Sequence, residues 1–289
     1  MTYYLFNMNV GVVGLGYVGS ACESLFKDYF NLNTFDINKN CNCSNIQDLT
    51  KKSDIIFICL PTPMKKDSSC DLSIIESVLE QINDEGEEKY IVIKSTVEVG
   101  TTDRFSQKYN NLVFIFNPEF LTEANFLEDF KNQDRIIIGS HNEEAKNYLT
   151  ELYRVIYPKK SDVKIETTLP INAEMVKYVT NCFLAVKVSF ANEVYDLSQN
   201  LNADYNEIVR LATLDKRLGH SHWLVPGPDG KFGFGGSCFP KDINSLINTF
   251  KEKNIDSFIL NASWQRNITK DRPEKDWEGL KGRAVSNDG

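Results

Sequence analysis

Residues 233–242, with the sequence GFGGSCFPKD, bring a thiol, an amine and a carboxylate close together in the chain. Cys238 follows a flexible pair of glycines, and Lys241 and Asp242 come shortly after it. Pro240 suits the first turn of a helix, where its missing N–H would have no partner. Backbone N–H groups and the dipole at a helix start favour a thiolate. The segment therefore predicts a nucleophilic Cys238, with a buried structural cysteine in a glycine turn as the alternative.

A second pair of reactive side chains, Lys177 and Asn181, falls in a stretch with helical periodicity. From Leu169 onward apolar residues recur at helical spacing for some thirty residues without a Pro or Gly, which predicts one long helix. Lys177 and Asn181 lie one turn apart, so both can reach the same place beside the apolar stripe. Ordinary surface residues would explain the pair as well. Asp204 and Glu207 have the spacing of a capping box and should start the next helix.

The N-terminal part of the chain carries a nucleotide-binding pattern. An apolar strand in residues 10–13 runs into Gly14-x-Gly16-x-x-Gly19. These glycines suit a tight turn, close approach to a pyrophosphate, and close packing of helix on strand. A second strand ends in Asp36, where a carboxylate would accept hydrogen bonds from a ribose diol and repel a 2'-phosphate. The pattern therefore favours NAD over NADP, unless Asp36 is only a surface residue at the end of a strand.

Two further strands end in residues that could contact ligands. Residues 55–60 form the continuous apolar run of a strand buried on both faces, and the run stops at the Pro-Thr-Pro of residues 61–63. Residues 90–93 form a fourth strand, which ends in the Lys-Ser-Thr of residues 94–96. Thr96 thus follows the carboxyl end of a strand, where ligands bind in open α/β sheets. Its hydroxyl would equally serve to cap a helix.

The fifth strand, residues 112–116, leads into a segment with two carboxylates, Glu119 and Glu123. The two would share one face if the segment were helical, although ordinary exposed glutamates would look the same. A sixth strand is predicted at residues 136–139. Six strands alternating with helices indicate an α/β protein with a doubly wound, Rossmann-like parallel sheet.

The predicted domains follow from this order of elements. We expect a dinucleotide-binding domain in residues 1–165, and a mainly helical domain, built on the long central helix and carrying Cys238, in residues 166–270. Residues 271–289 are charged and poor in apolar side chains, so we expect a tail that is mobile or only loosely docked.

Composition restricts the class of protein. The chain has 289 residues, a formal net charge of -8 and an isoelectric point near 5.1. That charge argues against a nucleic-acid partner. No apolar run is long enough to cross a bilayer, and no signal peptide is recognisable, so we expect a cytoplasmic protein. The odd number of cysteines, seven, fits reduced thiols, and their spacing predicts no metal site.

Taken together, these motifs resemble the UDP-glucose 6-dehydrogenase family of nucleotide-sugar dehydrogenases over roughly residues 8–260. Six segments match that family in order and spacing. They are the glycine fingerprint, the Pro-Thr-Pro of residues 61–63, the Lys-Ser-Thr-Val of residues 94–97, residues 117–123, Lys177-x-x-x-Asn181, and residues 233–242. Family members usually continue into a further Rossmann-like domain that helps to bind UDP. Its absence from this sequence puts uridine recognition in doubt more than the chemistry.

The resemblance implies a four-electron oxidation of a primary alcohol to a carboxylate with two NAD. Cys238 would form a thiohemiacetal and then a thioester, which water hydrolyses. Lys177 would stabilise the oxyanion with Asn181 beside it, Asp242 and Thr96 would hold the water, and Glu119 would help to activate it. The resemblance assigns NAD to Gly14, Gly16, Tyr17, Val18, Gly19, Asp36, Pro61, Thr62, Thr96 and Glu123. It assigns the sugar nucleotide to Glu119, Phe120, Leu121, Lys177, Asn181, Arg217, Phe234 and Gly235.

The same resemblance implies a homodimer through the long helix, because Arg217 matches a family arginine that reaches the neighbouring subunit's substrate. Three alternatives stay open at this point. The substrate could be GDP-mannose or another nucleotide sugar. The chain could be a two-electron hydroxyacid dehydrogenase of the 6-phosphogluconate type, which also has a Lys-x-x-x-Asn but no use for the thiol. It could also be a catalytically silent NAD-binding module.

Overall fold

The computed structural model describes residues 8–158 and 162–287. Contacts between residues divide the chain into two compact units. The first takes in the chain through Thr62 together with Asp71–Lys177, and the second takes in Pro63–Cys70 and the chain from Tyr178 onward.

A seven-stranded sheet forms the first unit, with the strand order β2-β1-β3-β4-β5-β6-β7. The strands are β1 (Asn9–Val13), β2 (Asn31–Phe35), β3 (Ile55–Ile58), β4 (Lys89–Ile93), β5 (Leu112–Phe116), β6 (Arg135–Gly139) and β7 (Lys164–Thr168). Neighbouring strands are parallel except for β5 and β6, which are antiparallel. The predicted Rossmann-like sheet is therefore confirmed.

Two details of the sheet differ from the prediction. The described residues form seven strands, one more than predicted. The additional strand, β7, lies at the sheet edge, is mostly exposed, and contains only one large apolar residue, Ile165. A strand of that kind leaves little period-2 signal in the sequence, and residue 165, the predicted domain boundary, falls within it. Strand β6 is antiparallel to β5, and the chain between them holds only one six-residue helix. So short a helix covers little of a sheet, unlike the usual crossover between parallel strands.

Helices cover both faces of this sheet, as a doubly wound fold requires. They are α1 (Tyr17–Phe26), α2 (Ile46–Lys52), α3 (Ser73–Asn83), α4 (Thr101–Lys108), α5 (Phe126–Lys131) and α6 (Glu143–Ile156). On one face the ring of Phe26 packs against those of Phe57, Phe130 and Tyr153, with centroids 4.9, 6.0 and 6.4 Å away. All four residues of β3 are buried, which explains its uninterrupted apolar sequence.

The second unit is mainly helical. It contains most of the long helix α7 (Pro170–Asn200), followed by α8 (Tyr205–Ala212), α9 (Phe239–Glu252) and α10 (Phe258–Arg266). The predicted long helix is confirmed, and so is the predicted cap of the next one. The carboxylate of Asp204 accepts hydrogen bonds from the backbone N–H groups of Asn206 and Glu207, at 2.9 and 3.2 Å. Among the described helices, none is both long and apolar enough to span a bilayer.

The C-terminal segment is docked, so the prediction of a mobile or loosely held tail was wrong. Trp277 is 2% exposed and its ring lies 5.4 Å from that of Trp264. Arg272 is also buried, and it is neutralised by two carboxylates. The main chain of Met64 donates a hydrogen bond of 2.9 Å to the carbonyl of Ala284. The packing of Trp277 and the ion pairs of Arg272 thus hold in place a segment that was expected, from its composition, to be exposed to solvent.

Candidate functional site

The glycine loop after β1 has the geometry of a dinucleotide-binding turn. Gly14 has φ +86°, a conformation that L side chains rarely adopt. A Cβ atom on Gly19 would lie 1.8 Å from the carbonyl oxygen of Gly14, so helix and turn are in contact there. A Cβ on Gly16, in contrast, would meet no atom within 4 Å. The space above Gly16 is therefore open to a ligand, and the N-terminus of α1 offers N–H groups suited to a pyrophosphate.

Asp36, at the end of β2, is fixed beside this loop. One carboxylate oxygen accepts a hydrogen bond from the N–H of Leu15, and the other from the N–H of Asn38, both at 2.7 Å. Tyr17 and Val18, also predicted to contact the cofactor, form the first turn of α1, with Tyr17 exposed and Val18 half-buried. These residues fit an NAD molecule bound at the carboxyl ends of the adjacent strands β1 and β3, where the chain leads from β1 to β2 on one side and from β3 to β4 on the other.

The two glycines lead to a paired prediction. Gly16→Ala should leave the melting temperature unchanged but raise the Kd for NAD about tenfold or more, because the methyl group enters only the ligand's space. Gly19→Ala should destabilise the fold by about 1–3 kcal/mol through overpacking against Gly14. Thermal denaturation and NAD titration by calorimetry would measure both. An unchanged Kd for NAD in Gly16→Ala would contradict the assignment of NAD to this loop.

The ends of β3 and β4 are tied together. The hydroxyl of Thr62 donates to the carbonyl of Thr96 at 2.6 Å, and that of Ser95 donates to the carbonyl of Leu60 at the same distance. Helix α4 does not begin until Thr101, so the alternative role of Thr96 as a helix cap was wrong. Thr96 is half-buried at this edge of the sheet, and the exposed Pro61 lies beside it in the loop that follows β3.

A buried ion pair lies at the ends of β4 and β5. The ammonium of Lys94 is 2.8 Å from the carboxylate of Glu119 and 2.9 Å from the side-chain oxygen of Asn117. The same oxygen of Asn117 accepts a hydrogen bond of 2.6 Å from the hydroxyl of Tyr153. Burial by itself opposes the charged form of Lys94, but Glu119, together with Tyr153 and Cys22, outweighs burial and raises the pKa of Lys94. Lys94 therefore stays cationic and holds Glu119 as its counter-ion.

The segment around Glu119 is not helical, so the proposed shared helix face with Glu123 was wrong. Residues 117–122 run as an irregular connection in which Glu119 is buried, while Glu123 is exposed. The N–H of Phe120 donates to the Glu119 carboxylate at 2.9 Å. The side chain of Asn117, at the start of this segment, accepts hydrogen bonds from Lys94 and Tyr153.

Lys177 reaches this segment from α7. Its ammonium donates to the backbone carbonyl of Glu119 and lies 5.6 Å from the centroid of the Phe120 ring. The guanidinium of Arg135 lies 4.4 Å from the same centroid, so two cations flank that ring. Leu121, the next residue of the predicted substrate segment, is half-buried. In the first unit the structure thus brings together Glu119, Phe120 and Lys177.

Cys238, in the second unit, stands at the start of α9. It is the residue before the first helical position, and its carbonyl accepts the hydrogen bond of the Asp242 N–H at 3.0 Å. Pro240 occupies the first turn, as predicted. The thiol is half-buried, and its sulfur lies 3.8 Å from the hydroxyl of Ser237. The predicted placement of the thiol at a helix N-terminus is correct.

The carboxylate of Asp242 is fully engaged. One oxygen accepts a hydrogen bond of 2.6 Å from the amide of Asn181, and the other lies 2.5 Å from the ammonium of Lys241. Burial opposes the charge on Lys241, but Asp242 and Cys238 together outweigh that effect and raise the pKa of Lys241. A positive charge therefore persists on Lys241, three residues after Cys238 in the first turn of α9.

The remaining predicted substrate residues also belong to the second unit. Phe234 is buried and Gly235 half-buried in the loop that precedes Cys238. Arg217 is 89% exposed at its side chain and pairs with Asp215, with nitrogen–oxygen distances of 2.5–3.0 Å.

Three residues in these clusters had no role assigned from the sequence: Lys94, Asn117 and Lys241. A usable signal was present for Lys94, which is a charged residue directly after a fully apolar strand end. Such a position is buried in a parallel sheet and requires a partner. Asn117 and Glu119 follow the neighbouring strand, β5, which pairs with β4 in register.

Comparison with known proteins gives matches in both units. Residues 32–157 match the NAD binding domain of the UDP-glucose/GDP-mannose dehydrogenase family, and residues 171–269 match the central domain of that family. The UDP-glucose 6-dehydrogenase of Rickettsia bellii is 38% identical over 228 residues, which cover 77% of this chain and 50% of that protein. The enzyme of the same name from Pseudomonas aeruginosa is 36% identical over 226 residues, covering 74% and 48%. The chain thus spans about half the length of the curated relatives it matches.

Solved structures show the same similarity. A UDP-glucose dehydrogenase from the hyperthermophilic archaeon Pyrobaculum islandicum matches with a TM-score of 0.79 and 30% identity, over 90% of this chain and 68% of that one. A GDP-mannose dehydrogenase from Pseudomonas aeruginosa matches with a TM-score of 0.67 and 25% identity, over 91% and 69%.

Proposed function

Because this chain belongs to the UDP-glucose/GDP-mannose dehydrogenase family, we propose that it oxidises UDP-glucose to UDP-glucuronate. The reaction converts a primary alcohol and one water to a carboxylate, and bound NAD would accept the two hydrides that leave the carbon, one molecule for each. The observation that carries the proposal is Cys238 at the start of α9, with Lys241 in the first turn of the same helix. A two-electron oxidation would have no need of that thiol.

The thiol accounts for the second half of the oxidation. The sulfur of Cys238 bonds to the aldehyde carbon, and the carbonyl oxygen takes up a proton to give a thiohemiacetal. Loss of hydride from this carbon and of the hydroxyl proton leaves a thioester, which water cleaves to the carboxylate and the free thiol. Lys241 offsets the negative charge of the thiolate before attack and after release.

We assign the polar residues to the oxygens of this reaction. Lys177, whose ammonium is held at the carbonyl of Glu119, stabilises the oxyanion. Asn181, one turn from Lys177 and hydrogen-bonded to Asp242, is assigned to the same oxyanion, and Asp242 and Thr96 are assigned to the hydrolytic water. Glu119, which forms an ion pair with Lys94, helps to activate that water. Phe120, Leu121, Phe234, Gly235 and Arg217 are assigned to the sugar nucleotide, and Pro61, Thr62 and Glu123 to NAD.

The stoichiometry of NADH tests the function. With limiting UDP-glucose and excess NAD, about two NADH should form per sugar, as the thioester route requires. Turnover with GDP-mannose instead would change the substrate and keep the chemistry, and one NADH per substrate would favour a hydroxyacid dehydrogenase. No turnover with any nucleotide sugar would contradict the proposal that the chain is active by itself.

We also propose that the protein acts as a cytosolic homodimer. In α7 the exposed side chains of Phe183, Phe190 and Leu197 recur at intervals of seven residues, and Leu211 and Leu214 near α8 are exposed as well. Such a stripe is typical of a helix that packs on another helix. None of the seven cysteines, all of which lie among the described residues, is in a disulfide, in keeping with a reducing compartment. Sedimentation velocity would decide the oligomeric state, and a monomer would contradict the dimer.

A further inference from the structure

The loop before Cys238 is held by side chains from two other helical segments. The N–H of Phe234 donates to the side-chain oxygen of Asn267 at 2.8 Å, and the side-chain nitrogen of Asn267 donates back to the carbonyl of Phe234 at 2.9 Å. The N–H of Gly233 donates to the side-chain oxygen of Asn192 at 3.3 Å. Asn267 therefore satisfies both backbone groups of Phe234, as a neighbouring β-strand would.

The glycines of this loop are required by close contact. A Cβ atom on Gly233 would lie 2.3 Å from the side-chain oxygen of Asn267, and one on Gly235 would lie 2.6 Å from the guanidinium carbon of Arg272. The backbone thus rests directly on these two side chains. The sequence suggested that glycine serves flexibility here, but at Gly233 and Gly235 it serves close approach.

Asn267 is itself firmly placed. Its exposed fraction is 0%, and it begins the π-helical turn Asn267–Asp271 at the end of α10. The carbonyl of Asn267 accepts the hydrogen bond of the Arg272 N–H at 2.7 Å, and Arg272 is neutralised by Asp229 and Asp276. π-Helical turns are frequent at functional sites. Here the side chain that begins the turn bonds to the loop at Phe234, four residues before Cys238.

We propose that Asn267 is a positioning residue for Cys238. A wholly buried amide with both its donor and its acceptor used on one residue fixes the position of that residue. Phe234 is thereby fixed, and with it the short loop that presents the thiol at the N-terminus of α9. This inference rests on the proposed catalytic role of Cys238, but its effect on the thiol is measurable without any substrate.

The test compares Asn267→Ala and Asn267→Asp in a Cys41→Ser background, which removes the other partly exposed thiol. Asp keeps the shape of Asn and the oxygen that accepts from the Phe234 N–H. It has a carboxylate oxygen in place of the NH₂ group, so the hydrogen bond to the Phe234 carbonyl is lost. The matched control is Asn261→Ala on the same helix, whose amide bonds only to Ser257. The measurements are the rate of Cys238 alkylation by iodoacetamide, kcat and KM with NAD, and the melting temperature.

In both Asn267 variants the alkylation of Cys238 should be about tenfold slower. The reason is that the thiol moves away from the N-terminus of α9 and from Lys241, which favour the thiolate. The kcat of both variants should fall about a hundredfold with KM for NAD unchanged, and Asn261→Ala should resemble the parent. An unchanged or faster alkylation rate, or a normal rate in Asn267→Asp alone, would overturn the inference. If Asn267→Ala does not fold, the isosteric Asp variant decides. A parent that turns over no nucleotide sugar would contradict the proposed function, and the alkylation rates would still decide this inference.

Discussion

Replacing Cys238 with serine should reduce steady-state NADH formation by roughly a thousandfold, equivalent to about 4 kcal/mol of activation free energy. Serine has nearly the same shape, but its hydroxyl remains protonated at neutral pH and attacks an aldehyde poorly. The first hydride transfer does not use the sulfur, so the variant should stop at the aldehyde. A single-turnover experiment with an aldehyde-trapping hydrazine would show one NADH and a trapped product.

The control for this prediction is Cys41→Ser, which changes the other half-buried thiol of the chain. It should retain the activity of the parent protein. If Cys238→Ser retained full turnover and one NADH formed per substrate, the thioester route would be excluded. The hydroxyacid dehydrogenase alternative would then become the better account of Lys177 and Asn181.

Lys94→Met should lower the free energy of unfolding by about 3–5 kcal/mol, because it leaves the Glu119 carboxylate buried without its counter-ion. Urea denaturation would measure the loss. Lys89→Met is the matched control, since Lys89 lies on the same strand but pairs with the exposed carboxylate of Glu87 at 2.9 Å. It should cost less than about 1 kcal/mol. The double variant Lys94→Met/Glu119→Gln should recover part of the stability, and a purely additive result would contradict the coupling.

The pH dependence of this effect follows from the direction of the Lys94 shift. Burial opposes the charge of Lys94, but Glu119 and the neighbouring Tyr153 and Cys22 together raise the pKa of Lys94 in the folded protein. The stabilising contribution is therefore complete below the unfolded value of about 10.4 and is lost only as the pH rises through the folded pKa. The difference between wild type and Lys94→Met should be constant between about pH 6 and 9, where the ammonium stays charged.

The sequence predicted best the features that depend on local pattern. The apolar run of β3, the glycine turn before α1, and Cys238 at the start of α9 each follow from a few adjacent residues, and the structure contains all three. The long helix α7 was predictable for the same reason, since its periodicity continues without a helix breaker.

What the sequence did not predict depends on residues distant in the chain. The Lys94–Glu119 pair joins residues on neighbouring strands, so it requires the order of strands in the sheet. The docking of the C-terminal segment was not predicted, because an arginine such as Arg272 is expected, from composition alone, to be exposed to solvent. Its burial depends on Asp229, more than forty residues away in the chain, as well as on Asp276, one turn along. Strand β7 was missed because an edge strand with polar side chains leaves no apolar signature.

The docking of Trp277 against Trp264 has a spectroscopic consequence. The chain has three tryptophans, and all of them, Trp223, Trp264 and Trp277, belong to the second unit. Intrinsic tryptophan emission excited at the red edge of the band therefore reports on the thiol-bearing unit alone, whereas circular dichroism reports on helices and strands of both. A difference between the two unfolding curves would show directly whether the dinucleotide sheet and the thiol-bearing unit lose their structure in one transition or in two.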